Sequence, residues 1–161
     1  MGSGKTTFIE SFKDNDLGFM TFDLDQVVCE ELGITHQELG EWIKNHGMAE
    51  FRQKEISALQ SLLNMRTMKI IALGGGTIEA AGFDELRTQA KMIFLNTPFE
   101  TCYKRIKNDS NRPMTLLGED GLRNLYQKRL PLYQQAELIL SETQIKEIEG
   151  LAPLVHNLKS I

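Results

Sequence analysis

The chain has 161 residues, 41% of them hydrophobic, which suits one compact domain over residues 1–161 with its own core. A net charge of −4 with no Lys/Arg run argues against a nucleic-acid partner, and no apolar stretch reaches the roughly 20 residues of a membrane span. Cys29 and Cys102 are too few for a disulfide framework and lack metal-type spacing, and the first residues carry no secretory signal, so buried thiols in a cytoplasmic protein are expected.

In chain order, the first element is Gly2-Ser3-Gly4-Lys5-Thr6-Thr7 running into a helix predicted over Lys5–Lys13. This is the second half of a phosphate-binding loop. Glycines let backbone N–H groups wrap phosphates without Cβ clashes, the lysine reaches the β/γ-phosphates, and the hydroxyl of Thr6 can ligate Mg2+. The following helix adds its N-terminal dipole. The full motif has another Gly about five residues before Gly4, itself preceded by a strand. The chain opens inside the loop, so we expect that strand upstream of Met1, central in the sheet, where its loss would leave neighbouring backbone groups unpaired.

Apolar runs that fit buried strands follow at Phe19–Phe22, Met68–Leu73, Met92–Leu95 and Leu138–Leu140. Each is short and lacks a clean period of two, as in a parallel sheet covered on both faces. Helices are predicted over Asp25–Leu32, Thr35–Asn45, Met48–Met65, Pro98–Lys107 and Leu122–Gln135. Gly33 falls where a C-terminal glycine is expected, Thr35 with Glu38 reads as a capping box, and Thr97 is the expected N-cap before Pro98. Alternating strands and helices imply an α/β three-layer sandwich with right-handed crossovers. The helical insertion at about 25–65 and the polar loop at about 108–121 stand outside that layering, which makes them candidate acceptor-binding and lid elements.

Asp23 and Asp25 follow the first strand; two residues apart on an extended backbone, they would point the same way. One could hold Mg2+ through water while the other meets an acceptor hydroxyl as a positioning group or base. The bland alternative is a helix cap at Asp25 and a solvated Asp23. Arg52, with Glu55 three residues on, reads by itself as a surface ion pair, and Arg129 as a solvated helix arginine. Pro131 is expected to interrupt that last helix. Arg112-Pro113 sits in the polar loop. Gly74-Gly75-Gly76 ends the second strand, where something approaches the backbone closely or the chain simply turns.

Together and in this order, Gly2–Thr6, Asp23-Leu24-Asp25, Phe51-Arg52-Gln53-Lys54-Glu55, Leu73–Gly76, Arg112-Pro113 and Arg129…Tyr133…Ala136 resemble shikimate kinase. The resemblance covers nearly the whole chain. It implies a P-loop kinase of the nucleoside-monophosphate-kinase type, with a five-stranded parallel sheet, a helical acceptor-binding insertion and a mobile lid. ATP and Mg2+ would be its cofactors and shikimate its acceptor, in aromatic amino-acid (chorismate) biosynthesis. Gly2, Ser3, Gly4, Lys5, Thr6, Thr7, Arg105 and Arg112 would meet ATP, with Arg105 near the adenine, and Thr6 and Asp23 would hold the metal. Asp25, Arg52, Gly74, Gly75, Gly76 and Arg129 would meet the acceptor, the two arginines clamping its carboxylate. Lys5, Asp25 and Arg112 would carry the catalysis. A cytoplasmic monomer with no nucleic-acid or membrane partner is implied. One departure is Gly47-Met48, where the family commonly has Gly-Glu. The alternatives are a gluconate-type kinase, from which the Arg52/Arg129 pair separates the chain, a GTPase switch, for which the base-reading Asn-Lys-x-Asp motif is lacking, and a non-catalytic binding protein.

Overall fold

A computed structural model of the chain describes residues 2–14, 17–107, 117–148 and 150–159. The chain divides into two compact units, one of Met1–Phe8 with Lys91–Ile161 and one of Ile9–Ala90. Helix α1 (Lys5–Glu10) runs through the first boundary. It is shorter than expected, because Phe12 and Lys13 donate to carbonyls three residues back and tighten the chain into turns.

In the unit of Ile9–Ala90, strand β1 (Met20–Asp23) leads into α2 (Leu24–Leu32), α3 (Leu39–His46), α4 (Met48–Asn64) and strand β2 (Lys69–Ala72). A 3-10 turn (Thr77–Glu79) and α5 (Phe83–Arg87) complete it. β1 and β2 pair in parallel from Met20↔Lys69 to Asp23↔Ala72. Both therefore end on the same edge, which fixes where the loops after Asp23 and Ala72 emerge. Helix α2 buries Leu24, Val28 and Cys29, and α4 buries Phe51, Glu55, Ala58, Leu59 and Leu62, a stripe at helical spacing by which the two helices pack. Gly33 ends α2 in the left-handed region (φ 68°), as its position predicts. Helix α3 starts later than expected. Glu38 folds its carboxylate back onto the N–H and hydroxyl of Thr35 at 2.7 Å, and residues 36–38 form a turn ahead of the helix.

In the other unit, β3 (Ile93–Asn96) is followed by α6 (Phe99–Ile106), α7 (Gly118–Tyr133), β4 (Leu138–Ser141), α8 (Glu142–Glu147) and α9 (Leu151–Lys159). β3 and β4 pair in parallel from Ile93↔Leu138 to Asn96↔Ser141. Phe99, Ile106 and Leu122 form a buried cluster with Tyr103 and Tyr126 packed on it. Pro98, not Thr97, is the residue before α6, because the Thr97 hydroxyl donates instead to the Ser3 carbonyl at 3.2 Å. Pro131 does not interrupt α7. It lies in the last turn, where the missing N–H forfeits one bond, and Gln134 still donates to Leu130 at 2.9 Å. Helices α5, α8 and α9 are not among the elements expected from the sequence, although Ser141 and Gln144 form a complete capping box at α8.

All four expected strands are present, in two parallel pairs. The fifth strand of the expected sheet, the one ahead of the phosphate loop, is not among the described residues.

Candidate active site

Residues Gly2–Thr7 form the glycine-rich turn into α1. Gly2 and Gly4 hold φ of 68° and 86°, which L side chains rarely adopt. Gly2 is also required by space, since a Cβ there would stand 2.5 Å from the Cys102 carbonyl oxygen. The turn is braced from outside. Thr97, only 2% exposed, donates to the Ser3 carbonyl, and Arg105 donates to the Gly2 carbonyl at 2.9 Å while its other nitrogen lies 3.7 Å from Glu142. Lys5 Nζ reaches the Ser3 hydroxyl at 3.4 Å, and Thr6 and Thr7 are exposed. These braces follow from topology. Thr97 and Glu142 come directly after the paired ends Asn96↔Ser141, so they lie on the carboxyl edge where ligands meet α/β sheets.

The second group lies at the carboxyl edge of β1 and β2. Asp23 is the N-cap of α2, its Oδ1 accepting from the Asp25 N–H at 3.1 Å. The backbone is extended only through Asp23, and Asp25 is already in the helix, so the two carboxylates do not lie side by side along a strand as their spacing predicts. Nor is Asp25 the cap.

Gly74 explains the glycine turn. Its φ is not positive, so the need is for space. A Cβ there would stand 2.5 Å from Glu55 Oε1, 2.8 Å from Asp25 Oδ1 and 3.0 Å from Thr77 Oγ1. What approaches this backbone closely is the protein's own set of oxygens, brought from α2, α4 and the 3-10 turn. Glu55 has no exposed surface; it accepts from the Thr77 hydroxyl through Oε1 and pairs with Arg52 through Oε2. Burial pushes the Glu55 carboxyl above its ordinary range, opposed by the Thr77 hydrogen bond and by Arg52, with the nearby charge of Asp25 adding to the rise. Arg52 is therefore held by a buried carboxylate rather than by a surface partner, and its own side chain remains 21% exposed.

This arrangement can present a guanidinium and an acid to a small anionic ligand. A family model for shikimate kinase matches residues 1–158. The chain belongs to the shikimate kinase family. The shikimate kinase of Chlorobium chlorochromatii is 33% identical over 159 residues, covering 91% of this chain and 80% of that protein. That of Persephonella marina is 28% identical over 141 residues, covering 88% and 84%. Among solved structures, a shikimate kinase from Acinetobacter baumannii in complex with shikimate matches with a TM-score of 0.76 at 30% identity, over 99% of this chain and 86% of that one. The enzyme from Bacteroides thetaiotaomicron gives 0.74 at 25% identity, over 100% and 94%. The fold is thus the α/β P-loop kinase fold, and the family is one of ATP-dependent phosphotransferases.

The structure groups Gly2, Ser3, Gly4, Lys5, Thr6, Thr7 and Arg105 around the phosphate loop. It brings Asp23, Asp25, Arg52 and Gly74 together at the end of β1 and β2, with Gly75 and Gly76 in the turn that follows. Arg129 is buried at 8% exposure. With Leu122, Tyr126 and Tyr133 it forms the inner stripe of α7, where Tyr133 stacks on Phe94, so it is not the solvated arginine its residue type suggests. Arg112 lies outside the described residues. Met48 opens α4 with 38% of its surface exposed. Sequence reasoning missed Glu55 as more than an ion-pair partner and missed Thr77 altogether. The signal for Glu55 was available, since it occupies an apolar-stripe position of α4 between Phe51 and Ala58/Leu59.

Among the described residues no three His, Cys, Asp or Glu side chains gather as a metal cluster, and no helix is long and apolar enough to cross a membrane.

Proposed function

We propose that the protein transfers the γ-phosphoryl group of ATP to the 3-hydroxyl of shikimate. The observation that carries this reading is Arg52 held by the buried Glu55 while Asp25 lies against the same glycine. A fixed planar guanidinium suits a carboxylate, and a neighbouring acid suits a hydroxyl. Arg52 and Arg129 would bind the acceptor carboxylate, with the N–H groups of the Gly74–Gly76 turn beside it. Asp25 would orient the hydroxyl and take its proton as the oxygen bonds to the γ-phosphorus and the bond from that phosphorus to the ADP oxygen breaks. Lys5 and the loop N–H groups of Gly2–Thr7 would hold the phosphates, Arg105 would keep the loop in place, and Arg112 would meet the transferred group.

Mg2+ suits the donors present. It takes hard oxygen ligands and keeps water and substrate phosphates around it, so one or two protein oxygens suffice. Thr6 and Asp23 are the residues that would hold it, and the cap bond from the Asp25 N–H fixes the direction of the Asp23 carboxylate. Bound there, the ion would neutralise phosphate charge. The reading carries with it a cytoplasmic, monomeric enzyme acting on a small molecule.

The test is ADP release from MgATP by the purified protein. Release that requires shikimate and ignores gluconate supports the proposal, and release indifferent to shikimate refutes it.

A further inference from the structure

Thr77 is completely buried, and its position is fixed twice. Its N–H closes the turn onto the Gly74 carbonyl at 3.2 Å, and its hydroxyl donates to Glu55 Oε1. A threonine has one hydroxyl proton to give, so that proton is assigned. The second oxygen of the same carboxylate holds Arg52. A terminal carboxylate torsion is broad and has no strong preference of its own, so a carboxylate pinned at one oxygen can still rotate, whereas one pinned at both cannot. Thr77 and Arg52 lie on different elements, the 3-10 turn and α4, and Glu55 is the body between them.

We propose that Thr77 is a positioning residue, which acts through Glu55 to hold the Arg52 guanidinium in one orientation. It would touch neither ATP nor acceptor. The turn after β2 thereby sets the direction of the arginine that meets the acceptor, so the glycine turn and the arginine form one device. The proposal rests on the reading of Arg52 as a carboxylate-binding residue only for its kinetic consequence; the relay itself is a statement about the free protein.

Two variants test it, Thr77→Val, which keeps the shape and removes the proton, and Thr77→Ser, which keeps the proton. Thr77→Val should raise the shikimate KM roughly tenfold, as expected for loss of one hydrogen bond to a charged group, with kcat and the ATP KM within about twofold of wild type. Thr77→Ser should restore the shikimate KM. A threonine that merely fills a buried slot would lower thermal stability in Thr77→Val and leave the KM where it was, and that result overturns the proposal. The Nη–Hη resonances of Arg52, assigned by their loss in Arg52→Lys and slowed in rotation by the Nη1 bond to Glu55, supply a readout that needs no turnover. They should be sharp and protected in wild type and in Thr77→Ser, and broadened or exchanged away in Thr77→Val. If wild type does not use shikimate, the functional reading fails while these resonances still decide the relay. An unchanged Arg52 signal in Thr77→Val overturns it.

Discussion

Replacing Gly74 with alanine places a methyl group where three oxygens from three elements converge. Ordinary contact begins at 3.4 Å, and the new carbon would stand 2.5 Å from Glu55 Oε1, so that oxygen must retreat by about 0.9 Å. Glu55 is enclosed and cannot move without loosening its bonds to Thr77 and Arg52. Hydrogen bonds to a charged group contribute about 1.5–3 kcal/mol each, and breaking a buried ion pair costs about 3–5 kcal/mol. Gly74 does not have a positive φ, so alanine adds no backbone strain there and recovers about 0.4–1 kcal/mol by restricting the unfolded chain. The net expectation is a loss of about 2–4 kcal/mol. With a urea slope of about 2 kcal/mol/M, the unfolding midpoint should fall by about 1–2 M. The cause is separable by a double-mutant cycle. In a Glu55→Ala background the methyl group gains room, so the two losses should fall short of adding by at least about 1 kcal/mol. A midpoint within about 0.3 M of wild type, or strict additivity with Glu55→Ala, would show that the missing Cβ does not make room for Glu55.

Arg52→Ala should raise the shikimate KM by the equivalent of about 2–5 kcal/mol and leave the ATP KM alone, and an unchanged acceptor KM would remove Arg52 from the site. Gly2→Ala meets the Cys102 backbone carbonyl at 2.5 Å with φ at 68°, so ATP binding measured by titration should weaken, and wild-type affinity would refute the packing argument. Burial raises the Glu55 pKa above its ordinary 4.5, so its contribution to stability is complete below that value and is lost as pH rises through the folded-state pKa. Glu55→Gln should therefore lose less stability relative to wild type as pH rises from about 4.5, and a pH-independent difference in urea unfolding would contradict the shift. Cys29 and Cys102 are buried, and burial is the first cause raising both thiol pKa values, so a disulfide reagent at pH 8 should label neither until urea is added. Rapid labelling of the native protein would place a thiol at the surface.

The strands and the glycine-rich turn into α1 were legible because their signals are local: short apolar runs between polar bounds, and glycines ahead of a lysine. Helix boundaries were less so. Thr97 looks like an N-cap, and its hydroxyl is instead spent on the Ser3 carbonyl, 94 residues away in sequence, a competition that no window of neighbouring residues contains. Asp23 and Asp25 were found as a pair, but the geometry assigned to them assumed a strand that stops at the first of the two.

Glu55 satisfies two periodic rules that disagree. Three residues from Arg52 on a helix, it satisfies the rule for a solvent-exposed ion pair, and such pairs contribute little. The same residue lies four after Phe51 and three before Ala58, so the period of α4 turns it inward. When two periodic rules disagree about one residue, burial decides, because an enclosed carboxylate must find partners that a surface one can do without. Those partners, Thr77 and Arg52, are found on different elements, and Gly74 leaves the space in which they meet. A buried acid on the apolar face of a helix, next to an arginine and ahead of a glycine-rich strand end, is thus a more specific signature than any of its members. On the function proposed above, it holds an arginine in one direction before any ligand arrives, which is the property a carboxylate-binding site needs.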